Sequence, residues 1–219
     1  MNLNFQGIIP SLPFILGGVG ITLKIVLCAM LLGFILGILL ALSKLSHKKV
    51  WSTIATVYIS IFRGTPVIVQ LTLLYYGLPQ LAGIDLGTEL SAILALGLNS
   101  GAYISEIIRA GIMAVDKGQT EAAMALGIPY PQMMRRIILP QALKNILPAL
   151  INEFTALTKE SAVVTIVGAS DIMRRSMVVG GQTFLYLETL LVAGLIYYIL
   201  VMFISLIGKK VEGRLNVSA

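Results

Sequence analysis

The sequence predicts an all-α membrane protein with about five transmembrane helices. Hydrophobic residues make up 57% of its 219 residues and charged residues 12%, whereas soluble domains have about 45–50% and about 25%. Apolar runs long enough to cross a bilayer alternate with short clusters of basic residues. Membrane proteins mark their cytoplasmic side in this way, so the net charge of +6 does not indicate nucleic-acid binding.

The first predicted span runs from about Phe14 to Leu42. Lys24 lies near its outer end, where a long side chain can reach water. Gly33 and Gly37 are four residues apart and share one helix face. Small residues on a shared face let another helix approach closely, which predicts a helix partner on this side. The alternative is that glycine is simply common in membrane helices.

The stretch from residue 51 to 81 is too long for one straight span, and it contains the break Arg63-Gly64-Thr65-Pro66. Proline lacks a backbone donor and disfavours helix in the residue before it. We therefore predict an interfacial or inner segment over residues 51–62 and an outward span over about 66–81.

Three further spans are predicted at about Leu90–Ile108, Ala142–Val167 and Thr183–Ile207. Basic residues, which favour the cytoplasmic side, follow the first, third and fifth spans. The loop after the second span instead carries Asp85 and Glu89. This distribution predicts an N-terminus outside and a C-terminus inside.

The segment after the fourth span is an exception to this charge pattern. Arg174 and Arg175 fall outside in the predicted orientation. Asp171 lies three residues before Arg174 and is placed to pair with it if the segment is helical.

Motifs for catalysis or for a bound cofactor are missing from the sequence. It has no G-x-x-x-x-G-K-[ST] phosphate loop, no His/Cys cluster with metal-ligand spacing and no nucleophile–base constellation. The single cysteine, Cys28, cannot form an intramolecular disulfide. We expect a chain that is not an enzyme and holds no cofactor or metal; if it uses ATP, another chain binds the nucleotide.

A polar segment over about residues 116–140 interrupts the apolar pattern. Residues 119–126 are strong helix formers around small alanines. Gly127 is suited to end that helix, and Pro129 and Pro131 to begin the next one at a new angle. The charge pattern places this segment in the cytoplasm.

Glu121-Ala122-Ala123, Gly127 and the closing Ile137-x-Leu139-Pro140 resemble the EAA loop of ABC importer permeases. In that family the loop is the cytoplasmic element through which an ATP-hydrolysing subunit moves the membrane subunit. The resemblance implies the type I importer permease fold, a single permease domain over residues 1–219, and coupling to the ATPase through Glu121, Ala122, Ala123 and Gly127.

The resemblance extends to the permeases for polar amino acids, of the glutamine, histidine and arginine types, over nearly all of residues 10–210. The matching residues are Phe62-Arg63-Gly64-Thr65-Pro66, Gln70, Tyr103-x-x-Glu106-x-x-Arg109, Ala114-Val115-x-x-Gly118-Gln119, Pro140-Gln141-Ala142 and Lys159-Glu160-Ser161. The family implies a prokaryotic cell membrane and a permease dimer, either homodimeric or heterodimeric. It also implies two ATPase subunits that carry ATP and Mg²⁺, and usually an extracytoplasmic substrate-binding protein.

Polar side chains reach similar depths on two predicted spans. With about 1.5 Å of rise per residue, Glu153 lies about 14 Å and Glu160 about 24 Å beyond Lys144. Asn99 lies about 15 Å beyond Glu89 on the third span. Buried charges in a membrane are costly and need a functional or structural reason.

Two carboxylates in one cavity favour a cationic substrate, and guanidinium pairs well with carboxylates. We expect Glu153, helped by Glu160, to receive the side chain of arginine, lysine or histidine. Asn99 and Tyr103 would orient the amino-acid end. The predicted substrate-binding set is completed by Gln70, Thr155 and Thr158.

Several alternatives remain open at this point. Glu153 can pair with a neutral polar group for packing, and Glu160 with the adjacent Lys159. We expect Glu106 and Arg109 to pair structurally, and Arg63 either to cap carbonyls or to face the translocation path. The whole chain can also be a secondary transporter driven by an ion gradient, a membrane scaffold, or an importer subunit for glutamine or other polar amino acids.

Overall fold

The computed structural model describes residues 3–46 and 48–216, without the side chains of residues 214–216. This part of the chain is helical, as predicted. A 3-10 segment, Phe5–Ser11, leads into the short helix α1 (Leu12–Leu16) and the long helix α2 (Gly18–Leu45). The N-terminal part of α2 is joined to a later helix by an ion pair, with Lys24 Nζ 2.6 Å from Glu89 Oε2.

The predicted break at Pro66 is confirmed. Helix α3 (Lys49–Gly64) ends before an extended Thr65, and α4 (Val67–Thr72), a π-helical turn and α5 (Leu78–Ala82) follow Pro66. The two arms are bent by 102°. A proline cannot continue the incoming helix, so the chain restarts in a new direction here.

Helix α6 (Gly87–Met113) packs along α2 as the centre of the fold. A Cβ on Gly33 would lie 3.1 Å from the Gly97 carbonyl oxygen, and one on Gly37 would lie 2.6 Å from Ile104 Cγ2. Small residues thus let the two backbones approach. The helix partner expected from the glycine spacing is confirmed.

The remaining helices follow α6 in chain order. They are α7 (Lys117–Ala125), α8 (Tyr130–Met133), α9 (Leu139–Glu160), α10 (Ile172–Thr183) and α11 (Tyr186–Asn216). The fourth span was predicted as one helix to Val167, and this is wrong, because α9 ends at Glu160 and a 3-10 segment occupies Ser161–Val167. That segment is rich in β-branched residues, which have lower helix propensity.

Three helical stretches of the described chain are long and apolar enough to cross a membrane: Phe5–Leu45, Gly87–Met113 and Tyr186–Gly213. The bent pair of α3 with α4–α5 is a fourth if the two arms form one span. Helix α9 is outside this set, and its sequence includes polar residues such as Lys144 and Glu153. The count of five spans and the orientation of the termini stay predictions.

The main hydrophobic core lies between α2, α4, α6, the end of α9 and the 3-10 segment that follows it. Its buried residues are Ile25, Val26, Ala29, Leu71, Ala92, Ala95, Leu96, Leu157, Val164, Val167 and Ala169. The core therefore holds the break after α3 and the C-terminal end of α9 against the central helix pair.

Asp171 meets the backbone of Arg174, where the sequence allowed a pairing of the two side chains if the segment is helical. Asp171 precedes α10 and caps it, because its Oδ1 accepts a hydrogen bond from the Arg174 backbone N–H at 2.8 Å. Its Oδ2 accepts from the Tyr197 hydroxyl at 3.0 Å. Arg175 instead donates to the Phe14 carbonyl at 2.8 Å.

A side chain at Gly37 is expected to destabilise the central helix pair. Gly37→Val places methyl groups where Ile104 now packs, and overpacking of this kind costs about 1–3 kcal/mol of unfolding free energy. Thermal unfolding of the purified protein in detergent measures the loss. Gly20→Val is the matched control on the same helix, because a Cβ at Gly20 meets nothing within 4 Å. Equal unfolding midpoints for the two variants would contradict the close approach.

Candidate functional site

A pocket of about 310 Å³ opens at the break between α3 and α4. Its size lies at the lower end of small-molecule sites, which measure about 300–1,000 Å³. The break supplies one wall, α6 a second and the end of α9 a third. The lining residues are Arg63, Gly64, Thr65, Pro66, Val67, Asn99, Tyr103 and Glu160.

Two side-chain amides hold the broken backbone in place. Gln70 Nε2 donates to the carbonyls of Phe62 and Thr65, at 3.0 and 3.1 Å, and to the Thr65 hydroxyl at 2.9 Å. Asn99 Nδ2 donates to the Phe62 carbonyl at 2.9 Å and to Gln70 Oε1 at 3.1 Å. These bonds satisfy carbonyls that the interrupted helix leaves without a helical donor.

This network decides what Asn99 presents to the pocket. Both hydrogens of an amide nitrogen can be donated, and those of Asn99 are directed to Phe62 and Gln70. Its Oδ1 is the group left for a ligand, and an oxygen accepts hydrogen bonds only. Gln70 lies behind this wall and acts on the pocket through Asn99.

Arg63 and Tyr103 form a cation–π pair beside Asn99. The Arg63 guanidinium carbon lies 5.2 Å from the centroid of the Tyr103 ring, within cation–π distance. Half-exposed Tyr103 and exposed Arg63 both line the pocket. The sequence left the position of Arg63 open, and the structure shows it facing the pocket.

Glu106 lies one turn below Tyr103 on α6 and meets three cations. Its carboxylate is 2.5 Å from Lys44 Nζ, 2.9 Å from Arg109 Nη2 and 3.9 Å from Arg63 Nη1. The predicted pairing with Arg109 is confirmed. Lys44 and Arg63 were not predicted as partners, because they come from other helices and no sequence spacing indicates the contact.

Glu153 and Glu160 occupy different surroundings on α9. Glu153 is half-buried and accepts a 2.7 Å hydrogen bond from Ser100 Oγ, so the packing alternative for Glu153 has a specific partner. Glu160 is exposed at the end of the helix and lines the pocket. The ion pairs recorded among residues 3–46 and 48–213 do not include one between Glu160 and Lys159.

The predicted substrate-binding residues therefore separate into groups. Asn99, Tyr103 and Glu160 meet at the pocket. Gln70 supports it from behind, and Glu153 is bonded to Ser100, the neighbour of Asn99. The two threonines are outside the lining, with Thr155 half-buried and Thr158 donating to the Phe154 carbonyl at 2.8 Å. The backbone of the break and Arg63 are the lining groups that sequence reasoning did not assign.

The segment after α6 has the predicted helix–turn–helix form. Asp116 caps α7 by accepting from the Gly118 N–H at 2.7 Å. Gly127 has φ +69°, and the N–H groups of Gly127 and Ile128 donate to the Met124 and Ala123 carbonyls. This is the Schellman arrangement that ends helices at a left-handed glycine. Gly127 thus ends α7 as expected.

A small apolar cluster fixes this segment against the end of α6. Its buried members are Ala123, Met133 and Ile138, and partly buried side chains around them include Ile112 and Val115. Ala123 is 2% exposed. We therefore expect Ala123 to stabilise the fold of the segment as a buried residue, although the sequence placed it at a partner interface.

Both polar and apolar side chains are exposed on α7 and at its C-terminal end. Glu121 and Ala122 are exposed, as an interface requires. Met124 and Leu126, which the sequence reasoning did not assign, are 61% and 78% exposed. Met124 lies in α7 and Leu126 directly after it, and two large apolar residues in a stretch that is otherwise polar and small were the available signal. We call Glu121, Ala122, Met124 and Leu126 the α7 face.

Comparison with known proteins agrees with this geometry. Residues 33–217 match the family described as binding-protein-dependent transport system inner membrane component. The arginine transport system permease protein ArtQ of Bacillus subtilis (strain 168) is 55% identical over 216 residues, covering 99% of both chains. A putative glutamine transport system permease protein GlnP of Rickettsia bellii (strain RML369-C) is 47% identical, covering 95% of this chain and 96% of the relative.

A solved structure is also similar over nearly the whole chain. The crystal structure of an amino acid ABC transporter with histidines contains a chain that is 40% identical. It superposes with a TM-score of 0.93 and covers 98% of this chain and 100% of that one. The family match, the full-length relatives and the shared fold lead to one assignment: the chain belongs to the inner membrane components of binding-protein-dependent transport systems, and it is an ABC transporter permease.

Proposed function

We propose that this permease is the membrane subunit of an ATP-driven importer of basic amino acids, with arginine as the leading substrate. The observation that supports it most is the pocket at the break, where the Glu160 carboxylate and the Asn99 oxygen are both hydrogen-bond acceptors. Acceptors and a negative charge suit the ammonium and guanidinium groups of such a substrate.

Glu153 adds a second carboxylate on α9 that favours a cationic substrate. It is seven residues before Glu160 and therefore on the same side of the helix. Among the residues that the structure describes, its carboxylate has one donor, Ser100 Oγ on Oε1, so Oε2 can accept from a substrate that moves further along α9. The full-length similarity to an arginine permease supports the same substrate class.

Energy for transport would come from partner chains. We propose that two ATPase subunits, which bind ATP and Mg²⁺, dock on the α7 faces of two permease copies. Closure of the ATPase pair would move each α7, and the cluster around Ala123 would pass the movement to the end of α6. The pocket would then open alternately to the two sides, receiving substrate from an extracytoplasmic binding protein.

This mechanism uses the predicted topology of five spans, with the segment 116–140 in the cytoplasm. Helix α9 would be the additional span, and its polar residues would face the translocation path instead of lipid. Charged groups in a path between helices keep contact with water or partners, which explains how a helix of modest hydropathy can still cross.

A second candidate is an importer of glutamine or another neutral polar amino acid. The similarity to putative glutamine permeases favours it. Such a substrate would use Asn99 and Tyr103 in the same way but would not need the charge of Glu160.

Purification in mild detergent and reconstitution test the proposal. We expect an ATPase to co-purify in stoichiometric amount. The reconstituted complex, with its binding protein, should take up labelled arginine when ATP is supplied, and unlabelled lysine or histidine should compete better than glutamine. Uptake of arginine driven by an ion gradient without any ATPase would contradict an ABC importer, and stronger competition by glutamine would favour the second candidate.

A further inference from the structure

The positive charge of Arg63 has no close anionic partner of its own in the described part of the protein. Its recorded ion-pair partner is Glu106, at 3.9 Å, beyond hydrogen-bond distance. Lys44 and Arg109 already approach the same carboxylate at 2.5 and 2.9 Å. One negative charge thus faces three positive charges, and the two shorter contacts satisfy it.

The position and exposure of the guanidinium also allow it to bind a ligand. The Tyr103 ring supports it from one side at 5.2 Å, and its side chain is 43% exposed. A guanidinium has five N–H donors in a planar fork. Because the contact with Glu106 at 3.9 Å is too long for a hydrogen bond, these donors remain able to bind a second carboxylate.

We propose that Arg63 binds the α-carboxylate of the transported amino acid. The inference rests on the proposed function, and it adds the anchor for the end that all α-amino acids share. The same pocket offers a cation, Arg63, and two groups that attract cations, Glu160 and the Asn99 oxygen. An amino acid carries both kinds of charge, so Arg63 accounts for the one group that the acceptors would repel.

This assignment divides the pocket by function. Arg63 on α3 holds the carboxylate, while Asn99 on α6 and Glu160 on α9 take the positive groups. The three residues belong to three different helices. A ligand that engages them all joins the walls of the pocket, whereas a ligand without a carboxylate leaves Arg63 unused.

Equilibrium binding of arginine and agmatine to the purified permease–ATPase complex tests the assignment. Agmatine keeps the guanidinium side chain and the amine but lacks the carboxylate. In the wild type we expect arginine to bind at least about tenfold more tightly, since hydrogen bonds to charged groups are the strong ones. Arg63→Gln should lower arginine affinity by about that factor and leave agmatine affinity within about twofold.

Lys44→Gln is the matched control. It removes another cation from Glu106, but Lys44 does not line the pocket. We expect it to keep the wild-type preference for arginine. The same loss of preference in Lys44→Gln and Arg63→Gln would show that an unbalanced Glu106 is responsible, and it would overturn the assignment.

Arg63→Lys covers the case in which Arg63→Gln does not fold. It keeps the charge without the planar fork. We therefore expect its preference for arginine over agmatine to be weaker than that of the wild type but still present. An unchanged preference in a folded Arg63 variant overturns the role of Arg63 alone. A wild-type complex that binds neither arginine nor agmatine would overturn the proposed substrate class together with this assignment.

Discussion

Glu160→Gln is expected to lower the affinity of the purified transporter for arginine by about ten- to a hundredfold, while affinity for citrulline changes little. A hydrogen bond to a charged group contributes about 1.5–3 kcal/mol, and each 1.4 kcal/mol is about tenfold in affinity. Citrulline has nearly the shape of arginine and no side-chain charge, so it loses only a neutral contact. Competition against labelled arginine measures both ligands.

Glu89→Gln is the control for this experiment. Glu89 is a partly exposed carboxylate that pairs with Lys24, and it lies at the start of α6 and outside the pocket lining. It should leave the preference for arginine over citrulline unchanged.

Glu153→Gln should reduce arginine transport as well, if substrate passes Glu153 after leaving the pocket. Wild-type preference in both Glu153→Gln and Glu160→Gln would contradict recognition by carboxylates.

Leu126→Asp is expected to abolish ATP-driven transport without removing the substrate pocket. Leu126 is 78% exposed in the isolated chain, so a carboxylate there costs the fold little. If the α7 face docks into a groove of the ATPase, the new charge must be desolvated in the complex, which costs several kcal/mol. Co-purification of the ATPase should fall by at least about tenfold, and arginine binding to the permease should persist.

Leu81→Asp provides the comparison. Leu81 is 89% exposed, and it lies in α5, on the predicted outer side of the protein. The same substitution there should leave ATPase association intact. Stoichiometric ATPase with Leu126→Asp would contradict docking through the α7 face, as would an equal loss with both variants.

Local sequence signals predicted the backbone well where one residue decides the geometry. Pro66 ends one helix and Gly127, with φ +69°, ends another. The glycines on α2 predicted a close helix partner for the same reason, since a missing Cβ has a direct steric consequence. The end of α9 was missed because apolar residues after Glu160 were counted as helix, although β-branched residues are poor helix formers.

The pocket could be predicted only in part. Depth along the helices placed Asn99 level with Glu153, whereas the pocket brings Asn99 and Tyr103 together with Glu160. Depth says nothing about rotation around the helix or about existing partners. Thr158 illustrates the limit, because it lies between Glu153 and Glu160 along α9 and yet bonds to its own helix. Arg63 was ambiguous because its direction depends on the 102° bend, which the sequence indicates without an angle.

A structure of the permease–ATPase complex with saturating arginine tests the central claim most directly. We predict density for one amino acid in each pocket, with its carboxylate at Arg63 and its positive groups toward Asn99 and Glu160. Arginine bound elsewhere in the permease, with the pocket at the break empty, would contradict the account.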